Sequence, residues 1–68
     1  MDLRRNLAKN LRVWRTERVM SQEEFADLVG VHRTYVSQIE GEKRAVSIDV
    51  LGQMAEAMKV SPADLLSD

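Results

Sequence analysis

No cysteine occurs in the 68 residues, so neither a disulfide nor a thiolate metal site can supplement the core. The longest apolar runs are far too short to span a membrane. The opening MDLRRNLAKN carries charge too frequently for a signal-peptide core, so a soluble, cytoplasmic chain is expected. Catalytic signatures are missing as well. Ser, His and Asp occur, but in no nucleophile-elbow or zinc-binding pattern, and there is no glycine-rich phosphate loop. His32 is the only histidine, and without cysteines or clustered carboxylates it makes no metal site. No enzyme, no metal and no cofactor are expected. A chain this short buries only about 60% of its unfolded surface, which points to compact helices with a homodimer as extra burial.

What the chain does contain is charge, unevenly placed. The net charge is −1, which alone argues mildly against a nucleic-acid partner. The distribution argues the other way. Arg4, Arg5, Lys9, Arg12, Arg15 and Arg18 lie within residues 1–18 against Asp2 and Glu17. Residues 45–68 carry only Lys59 against Asp49, Glu56, Asp64 and Asp68. A phosphate backbone responds to such local potential and not to the sum.

The stretch from Gln22 to Gly41, QEEFADLVGVHRTYVSQIEG, organises the rest. Phe25, Ala26, Leu28 and Val29 form an apolar side at helical spacing, and Gly30 breaks the pattern. A glycine there supplies the positive φ that ends one helix and turns the chain sharply. The second helix is expected from His32 or Arg33 to Glu40, with Val31, Val36 and Ile39 as its apolar residues. So short a helix is unstable alone, so Val36 and Ile39 must dock it onto the preceding one. Arg33, Thr34, Ser37 and Gln38 fall on the opposite arc, free for a partner. This is the physical logic of a helix-turn-helix, whose second helix enters the DNA major groove.

From about Leu7 to Leu66 the chain resembles the lambda-repressor-like, or XRE-type, helix-turn-helix family of small regulators. The run HRTYVSQIE followed by KRAVSI is similar to the controller proteins of restriction–modification operons, a branch of that family. One departure stands out: the family usually has Glu-x-Gly after the recognition helix, where this chain has Glu40-Gly41-Glu42. The resemblance implies an all-α fold, a compact five-helix domain over residues 1–68 with helices 2 and 3 as the helix-turn-helix. It implies that Arg15, at the edge of the first apolar stripe, pairs with Glu40 in a structural lock. It also implies that Lys43 and Arg44, in the loop after helix 3, face the DNA backbone.

Taken in order, Leu3, Leu7, Leu11 and Trp14 define a first amphipathic helix, with Trp14 as core. Ser21 and Glu24 form a capping box at the start of helix 2. Beside it, Gln22 is either a solvated cap residue or a donor to a phosphate oxygen. His32 either caps helix 3 or lies near backbone phosphates. Arg33 is the sharpest candidate, because an Arg near the start of a recognition helix can donate two bonds to guanine O6 and N7. Thr34, Ser37 and Gln38 are further candidates for base contacts; Ser21, Gln22, Tyr35, Lys43 and Arg44 are candidates for the DNA backbone. The Tyr35 ring could instead pack at the edge of the core. Ser47 caps a fourth helix whose inner face is Ile48, Leu51, Met54, Ala55 and Met58, and close packing or a contact is expected to account for Gly52 within it. Ser61-Pro62-Ala63-Asp64 starts a fifth helix, and Leu65 and Leu66 after it cannot both enter one core, which makes one or other of them a candidate for a dimer contact.

The expected partner is double-stranded DNA carrying a two-fold operator, bound by a homodimer that blocks or recruits RNA polymerase. No membrane and no small-molecule ligand are expected. The alternative is an antitoxin or protein-interaction module on the same fold, which would present an apolar or acidic outer face on helix 3.

Overall fold

A computed structural model describes residues 2–68. Five helices follow one another: α1 (Leu3–Glu17), α2 (Gln22–Val29), α3 (Arg33–Glu40), α4 (Ile48–Met58) and α5 (Pro62–Leu66). Each begins on a side chain that accepts a free backbone N–H: Asp2, Ser21, His32, Ser47 and Ser61. Ser21–Glu24 and Ser61–Asp64 close as reciprocal capping boxes. Among the described residues there is no strand, and no helix is long and apolar enough to cross a membrane.

The core forms where the apolar stripes meet. Phe25, Leu11, Ile39, Met54 and Val36 are its largest fully buried side chains. Ala26 is buried where α2 and α3 pack closely, and it lets the two backbones approach. Trp14 is half-buried and meets Phe25 edge-to-face, ring centroids 5.8 Å apart, as expected of a core tryptophan.

Sequence expectations meet their corrections at the rim. Leu3 and Ile48 lie on the expected stripes, but both belong to first turns that overhang the core, and Ile48 is 87% exposed. Leu28, at the edge of the α2 stripe, is half exposed. Of the two explanations for Gly52, close packing within the chain is not found, because a Cβ there would meet nothing within 4 Å. Leu65 is only 2% exposed and fills the chain's own core, which leaves Leu66, half-buried at the core's edge, as the one of the pair with surface to offer.

Candidate nucleic-acid interface

The α2–α3 turn is fixed by Gly30, whose φ of 89° is left-handed and whose N–H donates to the Ala26 carbonyl at 2.8 Å. From α4, Gln53 Nε2 donates to the Val29 carbonyl at 2.7 Å and so caps the end of α2. Across the turn, His32 Nδ1 accepts from the Thr34 N–H at 3.0 Å. Of the two sequence readings for His32, the cap is the one formed.

The other end of α3 is locked by a charge cluster. Arg15 Nε and Nη2 donate to Glu40 Oε2 and Oε1, each at 2.8 Å, in a two-pronged pair. Arg15 Nη1 reaches the Met20 carbonyl at 2.8 Å, and Arg12 Nη2 reaches the Glu40 carbonyl at 2.8 Å. Gln22 Nε2 adds a bond to Glu40 Oε1 at 3.1 Å. Glu40 is 5% exposed and Arg15's side chain 14%, so neither charge is stable there without the other. Burial opposes ionisation of Glu40, but the bonds from Arg15 and Gln22 and the charges of Arg15 and Arg12 outweigh it and hold the carboxyl below its ordinary pKa. The bond to Glu40 outweighs burial at Arg15, whose pKa is raised. This lock sets α3 against α1.

With both ends held, α3 presents an outer face on which, among the described residues, Gln38 alone of the four candidate base-reading side chains is bonded to the rest of the chain. Arg33, Thr34 and Ser37 are exposed, and among the described residues none of their side chains makes a hydrogen bond. Arg33 lines a notch with Arg15, Ser21, Gln22 and Glu23, at the start of α2. Within that notch Ser21 Oγ accepts from the Glu24 N–H, and Gln22 gives one amide hydrogen to Glu40. Gln22 is therefore neither a solvated cap nor wholly free for a phosphate. Tyr35 is half-buried at the far edge of the face. Arg44 lies over its ring at 4.8 Å, and its Nε donates to Gln38 Oε1 at 2.7 Å. Lys43 is exposed beside it. The loop departs from α3 through Gly41, with φ −87°, and then Glu42, with φ +61°. The left-handed residue thus falls on Glu42 and not on the glycine.

A family model described as helix-turn-helix, HTH_3, matches residues 11–65. The chain belongs to this family. Its members are DNA-binding transcription regulators and not enzymes. Control protein C.SmaI of Serratia marcescens is 37% identical over 67 residues, which span 98% of this chain and 80% of that protein. The crystal structure of a hypothetical transcription factor from Neisseria, NHTF, superposes with a TM-score of 0.90 at 39% identity, over 97% of this chain and 76% of that one. The restriction-modification controller protein C.AhdI from Aeromonas hydrophila superposes with a TM-score of 0.82 at 34% identity, over 91% and 94% of the two chains. The similarity to controller proteins extends across nearly the whole HTH_3 domain.

Sequence reasoning missed the side chains that close helix ends from a distance. Asn6 Nδ2 donates to the Leu66 carbonyl at 3.0 Å, and Asn10 Nδ2 to the Leu65 and Ser67 carbonyls, each at 2.9 Å. Arg12 and Gln53 do the same for α3 and α2. One signal was available: Asn6 and Asn10 are poor helix formers one turn apart within α1, and such residues need a reason to be there.

Proposed function

We propose that this chain is a sequence-specific transcription regulator of the controller type that binds a two-fold operator as a homodimer. The observation that carries the reading is the outer face of α3, where Arg33, Thr34 and Ser37 are exposed and unpartnered while both ends of the helix are locked. Arg33 reads guanine through its two parallel donors, and Thr34, Ser37 and Gln38 meet neighbouring base edges. A phosphate sits in the notch at the start of α2, against Ser21 and the second amide hydrogen of Gln22. Tyr35, Lys43 and Arg44 hold the strand at the other edge of the face. That face is neither apolar nor acidic, which speaks against the antitoxin or protein-interaction reading.

The dimer reading is supported by an apolar recess on a different side, formed by Leu3, Leu7, Val46, Ile48, Leu51 and Leu66. One turn beyond Ile48, Gly52 leaves open space on α4 that a second copy could approach closely. Two recognition helices related by a two-fold axis read half-sites about 34 Å apart. The regulator then acts by occupancy, blocking or recruiting polymerase, with no chemistry on DNA.

Selection of bound sequences from a random duplex pool, with wild type and Arg33→Ala in parallel, tests this directly. Wild type is expected to enrich a palindrome, and Arg33→Ala to lose one guanine preference in each half-site. If wild type enriches nothing even at low salt, where phosphate binding is strongest, the protein does not read DNA sequence.

A further inference from the structure

Arg44 and Gln38 form one unit. Arg44 leaves the loop after α3 and folds back, its guanidinium 4.8 Å above the Tyr35 ring and its Nε bonded to Gln38 Oε1 at 2.7 Å. A guanidinium has only donors, so the amide atom that meets it must be the oxygen. The orientation of the Gln38 amide, normally ambiguous, is fixed by this chemistry. With Oε1 turned to Arg44, Nε2 and its two hydrogens are turned away from it. The cation–π contact with the Tyr35 ring holds the Arg44 guanidinium close to α3, and the buried Val36 and Ile39 anchor that helix to the core.

We propose that Arg44 is a positioning residue for base recognition and not only a phosphate cation: it sets the Gln38 amide to present donors to the major groove. This rests on the reading of α3 as a recognition helix. A free glutamine can turn either end of its amide to a base edge. A glutamine held by Arg44 favours edges with an acceptor, which guanine, adenine and thymine offer, and discriminates against cytosine, whose groove edge offers the N4 donor. The loop that delivers Arg44 passes through Glu42 in the left-handed region, so recognition at this position depends on loop geometry outside the helix.

The test compares wild type, Gln38→Ala, Arg44→Lys, Arg44→Ala and the Gln38→Ala/Arg44→Lys double variant, by selection from a random duplex pool and by affinity against salt. Arg44→Lys keeps the cation and loses the planar Nε–H. It is expected to leave the salt slope unchanged, whereas Arg44→Ala lowers it by about one phosphate contact. Discrimination against cytosine at one position per half-site, roughly tenfold for a base-edge contact, should collapse in Arg44→Lys as far as in Gln38→Ala. The double variant should lose nothing further there. Circular dichroism melts matching wild type exclude misfolding. The proposal is overturned if Arg44→Lys keeps the preference, so that only its charge matters, or if it loses preference at a position that Gln38→Ala leaves intact. A wild type that enriches no sequence would instead defeat the underlying DNA-reading assignment.

Discussion

Glu40 carries more of the recognition helix's placement than any residue that faces the partner. It receives Arg15 through two bonds and Gln22 through a third, while Arg12 takes its backbone carbonyl. Because its carboxyl is held below the ordinary carboxylate range, the native state binds fewer protons than the unfolded chain in acid, and stability falls as pH falls. The contribution is complete above the unfolded pKa near about 4.3 and is lost as pH drops through the lower native value. Glu40→Gln leaves Arg15 charged, partly buried and unpaired. It is expected to cost about 3 kcal/mol near neutral pH. Urea unfolding of both proteins at neutral pH and in acid below the ordinary carboxylate range should show that gap narrowing, as the unfolded chain takes up a proton that native Glu40 resists. A gap of equal size at both pH values would mean that the ion pair is not its source. The pair was legible only through family resemblance, since nothing in the spacing of Arg15 and Glu40 brings them together.

At the scale of elements, the helices and their starts were legible because the signals are local. Ser21 with Glu24, Ser61 with Asp64, and Gly30 at φ 89° act within a few residues of the boundaries they fix. Helix ends closed by Asn6, Asn10, Arg12 and Gln53 were not legible, because each donor lies on a helix other than the one it closes. Turns were legible only in part. Val19 sits at φ 54° in the α1–α2 connection and is 89% exposed, and Glu42 sits at φ 61° after α3. Left-handed backbone is unfavourable for any L-residue and worst for a β-branched one. Val19→Gly is expected to raise stability by about 1 kcal/mol, or several degrees in Tm for so small a domain. Glu42→Gly, which restores the usual family spacing, should gain less, because glutamate is not β-branched. Thermal melts decide it: a lower Tm for Val19→Gly would show that the turn holds Val19 for a contact and not against strain.

At the scale of the whole molecule, a domain of this size draws limited stability from one core, and its surface keeps large apolar side chains exposed. Leu3, Ile48 and Leu66 share one recess, and Gly52 stands a turn beyond Ile48 with nothing near its missing Cβ. The sequence placed Leu3 and Ile48 inside because helical period marks the apolar stripe of a helix and not how far along that stripe the core reaches. Ile48 is 87% exposed, so Ile48→Glu removes little from the protomer and puts a charge on the recess. It should melt close to wild type at low concentration yet sediment as a monomer where wild type is a dimer, and bind a full two-fold operator no better than a half-site. Gly52→Ala should separate the two roles in the opposite sense. Alanine stabilises a helix interior by about 1 kcal/mol relative to glycine, so the protomer gains stability while a closely approaching partner helix is pushed away. Sedimentation velocity across a concentration series checks both variants. If Ile48→Glu remains dimeric, the recess is not the interface; if wild type is monomeric throughout, the homodimer reading fails in the absence of DNA.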